Sequence, residues 1–257
     1  MRIHYPTFEM PASPEYVLDV LRENHRQQCQ YDPEAEPEIV LSFDSTIADW
    51  RRACDLVSWR RLARALNDGW SISVPIETWC EVLDPASEKT LEGVCRLIAA
   101  HTRRLLIRPA RVFGATCETA GAFLTIRSLL HEHGVCVDAV RPSTPLAPYA
   151  RWHAGVFLGP IAELVPGALP LVQIRHPFYS GATWGIALGA ILGVAGLLPG
   201  FRFLTALGAL IWLPSWALTW LARFVPPASV TFGDAETFGD LARAIACAPG
   251  FRCPHAE

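Results

Sequence analysis

Uncharged residues dominate two neighbouring stretches in the last third of the chain. No charged residue occurs from Pro177 to Phe201, and after Arg202 none occurs until Arg223. An apolar membrane core about 30 Å thick requires about 20 helical residues, and both stretches reach that length. The pattern therefore predicts a transmembrane hairpin of two helices at about 177–223, with the lipid bilayer as a partner.

Further residues within the two stretches favour this hairpin. Pro199-Gly200 is a turn signal between them. Small residues recur along one face of the first helix, which permits close helix contact and leaves a homo-oligomer open. These residues are Gly185, Gly189, Gly193 and Gly196. A buried hairpin in a soluble core is the alternative, although two stretches that are apolar all round exceed ordinary core helices.

The charges that flank the hairpin predict its orientation. Arg175, His176 and Arg223 lie at its open end, whereas Arg202 alone lies in the turn. Because basic residues concentrate on the cytoplasmic side of a membrane, we expect an integral protein of the cytoplasmic membrane with both termini in the cytoplasm.

Outside the hairpin, two segments recur in the same order. STIADW at 45–50 recurs as STPLAPY at 143–149. TLEGVCRLIA at 90–99 recurs as TFGDLARAIA at 237–246. The repetition predicts two halves with one plan: a helix, a loop, the Ser-Thr segment, a second helix, a proline-terminated loop and a capped helix.

Apolar spacing and capping residues define the ends of this plan. Helical periodicity in YVLDVLRENH and AFLTIRSLLHEH predicts the opening helix of each half. Thr90 and Thr237 are expected to cap the last helices, and Asp240 to complete a capping box with Thr237. We expect one helical domain at 1–104 and a second at 105–257, which contains the hairpin as an insertion.

The segment DLVSWRRLARALNDGWSISVP, at 55–75, is amphipathic and ends on an aromatic residue, an alternating stretch and a proline. Together with TLEGVCRLIA it resembles the central and last helices of acyl carrier proteins. The second half resembles that family more loosely. The expected fold is therefore mainly α, with two small acyl-carrier-like helical bundles plus the two-helix transmembrane hairpin.

The resemblance breaks at the residue that would carry the cofactor. In acyl carrier proteins the central helix opens on Asp-Ser-Leu, and the Ser holds the phosphopantetheine arm. Here Leu56 follows Asp55 and has no atom that can form the phosphodiester. Ser58 and Ser45 are alternative attachment sites, although a Ser near a helix start usually serves as a cap.

The same region is basic, whereas carriers present an acidic central helix to their partner enzymes. An exposed basic face favours an acidic protein partner or the anionic leaflet of a membrane. A solvated face whose arginine stems cover apolar neighbours is the alternative. The basic residues are Arg51, Arg52, Arg60, Arg61 and Arg64.

Charge and cysteine usage exclude other classes. The 257-residue chain has a formal net charge of -3, without the basic field that binds nucleic acid. The N-terminus does not resemble a signal peptide, so reduced cysteines facing the cytosol are expected. Cys247, Cys253 and His255 lie close together, but three ligands at this spacing do not predict a zinc site. We expect no metal and no cofactor.

Motifs of catalysis are also missing from the sequence. It contains no Gly-rich phosphate loop, no His-Glu-x-x-His helix and no Gly-x-Ser-x-Gly turn. We therefore expect a non-enzymatic binding or scaffold protein anchored in the membrane. Two alternatives stay open: a functional carrier with an unorthodox attachment Ser, serving membrane lipid or secondary metabolism, and a small membrane enzyme with its site near Arg175, His176 and Arg223.

Overall fold

A computed structural model describes residues 8–112, 114–175, 179–198, 202–221 and 225–248. Helices dominate these residues, and the strands form three two-stranded sheets. The expected mainly α class is confirmed.

The elements follow the chain in two series. The first half contains β1 (Phe8–Pro11), α1 (Pro14–Gln28), α2 (Ile47–Ala53), α3 (Trp59–Gly69), α4 (Ile76–Leu83), α5 (Leu91–His101) and β2 (Arg103–Leu106). The remainder contains β3 (Ala110–Val112), β4 (Ala115–Cys117), α6 (Glu118–Glu132), α7 (Ala147–Val156), a π-helical turn (Phe157–Ile161), α8 (Ala162–Leu164), β5 (Val172–Arg175), α9 (Tyr179–Ala195), α10 (Arg202–Leu221), β6 (Ser229–Phe232) and α11 (Phe238–Ala246). Strand β1 pairs with β2, β3 with β4, and β5 with β6.

Helix α1 begins where local chemistry predicts a helix start. The Ser13 hydroxyl accepts the Tyr16 N–H at 3.2 Å, and Pro14 occupies the first turn, where a missing N–H costs nothing. One face of α1 is buried in the core of the first half, and α1 packs against α5. The corresponding contact in the second half joins α6 to α11.

The two recurring segments form the same backbone bridge in both halves. In each half, the residues before a short helix exchange hydrogen bonds with the residues around the start of the last helix. The bonds are Leu91 N–H to Ser45 O (2.9 Å) and Ile47 N–H to Lys89 O (2.9 Å) in the first half, and Phe238 N–H to Thr144 O (3.1 Å) and Leu146 N–H to Glu236 O (2.8 Å) in the second. The same pattern of backbone hydrogen bonds therefore occurs next to both recurring segments.

The bridge also corrects the alignment of the two Ser-Thr pairs. It matches Ser45 with Thr144, so Thr46 corresponds to Pro145 and the sequence alignment is wrong by one residue at this pair. The register follows burial, since the next residues, Ile47 and Leu146, are both buried in the core. Core packing and backbone pairing outweigh the identity of the hydroxyls.

One of the two predicted caps is present. Thr237 and Asp240 form the expected capping box at the start of α11. Thr90 makes no side-chain cap bond, and the first half instead uses Thr46, whose hydroxyl accepts the Asp49 N–H at 3.0 Å and caps α2.

The chain divides into two compact units. The first comprises 1–173 and 231–257, and the second comprises 174–230. The second unit contains α9 and α10, which pack against each other along glycine-rich faces. A Cβ added at Gly189 would lie 2.8 Å from the Gly208 carbonyl oxygen, so the two backbones are in close contact there.

The observed lengths of the two apolar helices differ from the lengths predicted from the sequence. Among the described helices, only α10 has a stretch long and apolar enough to cross a membrane, Phe203–Trp220. Helix α9 has 17 residues, because the chain leaves it in a turn closed by Leu197 N–H to Val194 O at 3.1 Å. The predicted Pro199-Gly200 turn lies outside the described residues.

Candidate functional site

The predicted attachment position lies in a linker. The helix expected from Asp55 begins instead at Trp59, and Asp55 has a φ of +43°, a left-handed conformation that helices of L-residues do not propagate. Leu56 is half-buried and packs against the core of the first half. The residue aligned with the carrier Ser therefore has a packing role.

The two alternative serines differ in their surroundings. Ser58 is exposed and immediately precedes α3, where its side chain makes no cap hydrogen bond. Ser45 is half-buried, and its hydroxyl accepts the Ser42 N–H at 2.9 Å. Ser45 thus stabilises a turn, whereas Ser58 presents an accessible hydroxyl.

The five predicted basic residues fall into two groups. Arg60, Arg61 and Arg64 share the exposed side of α3, and among the described residues none of the three forms an ion pair with a carboxylate. The Arg60 guanidinium stacks at 4.4 Å over the ring of Trp59. We call these three residues the α3 basic face.

The other two arginines are engaged at the end of α2. Arg52 pairs with Asp49 at 2.6 Å, so its charge is partly compensated. Arg51 donates from Nε to the Val57 carbonyl at 3.1 Å and holds the linker before α3.

A cavity of about 210 Å³ lies beside α1, where α2, α3 and Glu163 of α8 meet it. Its lining is mostly apolar and includes two tryptophans, Trp50 and Trp70. Residues with exposed positions, among them Asn24 and Ala65, border it. Leu56 contributes to the wall.

His25 is the most unusual polar residue of this lining. It is 6% exposed, and its Nε2 has no hydrogen-bond partner among the described residues. Buried polar atoms in native proteins nearly always have a partner.

Glu163 is the lining residue that comes from the second half of the chain, whereas the others lie between Leu21 and Trp70. Burial raises the pKa of its carboxyl to about 7, so this group is present in both protonation states near neutral pH. The Tyr16 hydroxyl donates to the Glu163 backbone carbonyl at 2.9 Å. Burial, and then the charge of Glu163, raise the pKa of Tyr16.

A buried polar cluster on α1 holds the segment between α8 and β5. Glu23 is 3% exposed, and its carboxylate accepts Arg26 Nε at 2.7 Å, Gln27 Nε2 at 2.8 Å and the Gly167 N–H at 3.1 Å. A buried carboxylate is tolerated when it is paired and hydrogen-bonded in this way.

Gln27 continues the cluster toward β5. Its Oε1 accepts the Val172 N–H at 2.9 Å, and its Nε2 donates to the Leu169 carbonyl at 3.2 Å. We call Glu23, Arg26 and Gln27 the α1 clamp. Sequence reasoning placed these residues on or just after an amphipathic helix, and no local signal distinguishes a buried Glu or Gln from an exposed one.

The remaining cysteine and histidine candidates do not converge. Cys247 is exposed beyond the end of α11, and Cys253 and His255 lie outside the described residues. Within the described part of the chain, no group of three His, Cys, Asp or Glu side chains could hold a metal ion. Burial raises the pKa of Cys54 to about 12, which keeps this thiol protonated and unreactive.

The proposed enzymatic residues are only partly described. Arg175 is exposed at the end of β5. His176 and Arg223 lie outside the described residues. His131 and His133 are exposed at the end of α6.

The second unit exposes large apolar side chains along both of its helices. On α9 and the following turn, Trp184 is 77% exposed and Leu197 78%. On α10, Leu210 is 70% exposed. Only 11% of the stretch Phe203–Trp220 is buried.

Comparison of the chain with protein-family models, with curated proteins and with solved structures found no match.

Proposed function

We propose that this protein is a membrane-anchored, non-enzymatic binding protein whose helical unit holds an acidic protein partner at the cytoplasmic face of the membrane. The observation that carries the proposal is the exposed apolar surface of α9 and α10. Contact of apolar surface with water costs about 25 cal/mol per Å², and soluble monomers rarely expose large apolar patches. A bilayer removes this cost.

In this proposal α9 and α10 cross the membrane together. At about 1.5 Å per residue, the 17 residues of α9 extend about 25 Å. A helix somewhat shorter than the membrane core is accommodated by local thinning of the bilayer. The close glycine contact with α10 supports a paired insertion, since small residues promote helix association in lipid.

The α3 basic face is the proposed binding surface. Three neighbouring guanidinium groups without carboxylate partners in the described structure create a local positive potential. An arginine side chain can form two parallel hydrogen bonds to one carboxylate, a bidentate pair. The resemblance to acyl carriers supports this location, because carriers use the corresponding helix to bind proteins. The reversed charge sign predicts an acidic rather than a basic partner.

Extraction of native membranes with alkaline carbonate tests the anchor. An integral hairpin stays in the membrane pellet, because its apolar surface has no favourable environment in water. A peripheral protein held by charge is released. Recovery of the full chain in the soluble fraction would contradict the proposed anchor.

Cross-linking in native membranes tests the binding surface. We expect one acidic protein to be cross-linked to the unchanged chain. The same protein should no longer be cross-linked to the double variant Arg60→Glu/Arg61→Glu. The matched control is Arg96→Glu/Arg103→Glu, which makes the same change in net charge at two exposed arginines, one on α5 and one on β2. Retention of the partner by the first variant, or its loss from both, would contradict the α3 basic face.

The intact mass of the chain purified from its native membrane is the complementary measurement. An unmodified mass is expected. An added mass that matches phosphopantetheine on Ser58 would replace the proposal with a working acyl carrier, in which this exposed hydroxyl carries the arm.

A further inference from the structure

The segment between α1 and α2 carries three exposed glutamates at alternate positions, Glu34, Glu36 and Glu38. Its backbone is attached to the first unit, because the Glu36 N–H donates to the Ala53 carbonyl at 2.9 Å and Ala35 is buried. We call the three glutamates the acidic loop. The loop therefore presents its carboxylates to solvent from a segment that is anchored at its centre.

The charge of the acidic loop is not compensated. Within the described part of the chain, none of the three glutamates forms an ion pair with a cationic side chain. Glu34 contacts a second carboxyl group instead: a hydrogen bond to Asp55, and then the charge of Asp55, raise the pKa of the Glu34 carboxyl. The loop is therefore a surface of excess negative charge.

The acidic loop lies beside the linker that leads into the α3 basic face. Asp55, which contacts Glu34, belongs to that linker and precedes α3. The basic face carries three arginines without carboxylate partners in the described structure, and the loop carries three glutamates without cationic ones. Two surfaces of equal and opposite formal charge thus occur in the same unit without pairing with each other.

Exposed apolar side chains accompany these charges. Tyr31 and Val40 lie before and after the acidic loop and are 48% and 80% exposed, and Val57 in the linker is 47% exposed. Among the described large apolar side chains of the first unit, that of Val40 has the highest exposure. Protein interfaces combine apolar side chains at the centre with a charged rim, and this surface contains both components.

A second copy of the chain has the matching surface for both charges at once. In a two-fold symmetric contact, a residue of one chain meets a different residue of the other, and the reverse contact forms as well. The acidic loop of each chain would then meet the α3 basic face of the other. A different acidic protein or an anionic membrane leaflet would neutralise the basic face alone and leave the acidic loop uncompensated.

We propose that the acidic partner of the α3 basic face is a second copy of this chain, bound through its acidic loop in a two-fold symmetric dimer. This inference rests on the binding surface proposed above and identifies its partner.

Sedimentation equilibrium of the full chain in a neutral, density-matched detergent tests the dimer. The unchanged chain should form dimers, and their association should weaken by about tenfold or more as salt rises from about 50 mM to about 500 mM, because salt screens exposed charges. A chain that stays monomeric at low salt would overturn the proposal.

Charge reversal on either surface should weaken the dimer. Arg60→Glu/Arg61→Glu and Glu36→Arg/Glu38→Arg should each lower the association constant at least about tenfold, because like charges then face each other. Glu34 is left unchanged because it contacts Asp55. Glu77→Arg/Glu81→Arg, at two exposed positions of α4, makes the same change in net charge and should dimerise as the unchanged chain does.

Mixing the two reversed variants gives the decisive result. Each contact between Arg60→Glu/Arg61→Glu and Glu36→Arg/Glu38→Arg again joins opposite charges, so the mixture should form heterodimers although neither variant forms dimers alone. Their formation also shows that both variants are folded. Mixing the arginine variant with Glu77→Arg/Glu81→Arg should not restore association to the level of the unchanged chain. Absence of heterodimers in the first mixture would overturn the proposal.

Other outcomes separate this inference from the proposed function. A dimer that neither reversal weakens is held by another surface, such as α9 and α10, and would overturn the inference. If the unchanged chain is monomeric but a different acidic protein is cross-linked to it and lost from Arg60→Glu/Arg61→Glu, the inference fails and the proposed function stands.

Discussion

Asn67, in the last turn of α3, joins three segments of the first half through one amide group. Its Nδ2 donates to the Val74 carbonyl at 2.9 Å, and its Oδ1 accepts the Val74 N–H at 3.2 Å. The same oxygen accepts Nε1 of the fully buried Trp79 at 3.0 Å. One side chain thus fixes the loop before α4 and satisfies a buried indole.

Replacement of Asn67 should be costly for this reason. Asn67→Ala leaves the Trp79 indole N–H and the Val74 N–H without their acceptor, so we expect the free energy of unfolding to fall by about 2 kcal/mol. Thermal unfolding of the detergent-solubilised chain, followed by near-UV circular dichroism, measures the loss. Asp68→Ala, at the adjacent exposed position, should change stability by less than about 0.5 kcal/mol. Similar losses in both variants would contradict the role given to the amide.

The row of glycines on α9 was predicted from the sequence to face a second helix, and in the structure this face packs against α10. The glycines predicted to face a second helix are not equivalent in the structure. An added Cβ at Gly189 would lie 2.8 Å from both the Gly208 carbonyl oxygen and the Trp212 Cβ, whereas one at Gly193 would meet no atom within 4 Å. The sequence pattern indicates the face, and the packed pair shows at which of its glycines an added side chain would collide.

This difference makes Gly193 a matched control for Gly189. Gly189→Leu should separate α9 from α10 and lower the free energy of unfolding by about 2 kcal/mol, since overpacking costs about 1–3 kcal/mol. Gly193→Leu should be tolerated. Thermal stability in detergent, measured by fluorescence-detected size-exclusion chromatography, compares the two variants. A larger loss for Gly193→Leu would show that the helices pack through another face.

Considered as a whole, the first unit is held together by contacts between distant parts of the chain. The α1 clamp binds the segment that leads into β5, and Tyr16 binds the backbone of Glu163. The chain leaves the first unit through β5 and returns to it through β6, and these two strands pair. Because the ends of the insertion are close together, it can interrupt the first unit without breaking its core.

Glu163 should make the stability of this unit depend on pH. Its folded-state pKa of about 7 lies above its ordinary value of 4.5, so the folded protein binds more protons than the unfolded chain between these values. Stability is therefore highest below about pH 4.5 for this group and falls as pH rises to about 7. The shift corresponds to about 3 kcal/mol at about 1.4 kcal/mol per pKa unit.

Comparison with Glu163→Gln isolates this contribution from those of other titrating groups. The unchanged protein should lose more stability between pH 5 and pH 8 than the Gln variant, with a difference of up to about 3 kcal/mol. Thermal unfolding at the two pH values gives both losses. Equal losses would mean that the Glu163 carboxyl does not titrate between these two pH values in the folded state.

Local patterns in the sequence predicted much of the secondary structure. Apolar spacing indicated α1 and α6, and the Thr237–Asp240 pair indicated the start of α11, because periodicity and capping involve residues within a few positions of one another. The absence of charge from 177–201 and after Arg202 indicated the two apolar helices. The length of α9 was predicted less well, because composition does not show where a turn ends a helix.

The backbone bridge and the burial of the candidate-site residues depend on tertiary contacts that no local sequence pattern encodes. Ser45 pairs with the start of α5 through backbone atoms. Backbone pairing does not depend on the identity of the side chain. For this reason the sequence alignment of the two Ser-Thr pairs differs by one residue from the structural match. The unpaired nitrogen of His25 and the raised pKa of Glu163 both result from burial, which arises only when distant parts of the chain pack together. Burial depends on that packing, because the same residue types at exposed positions would be fully solvated.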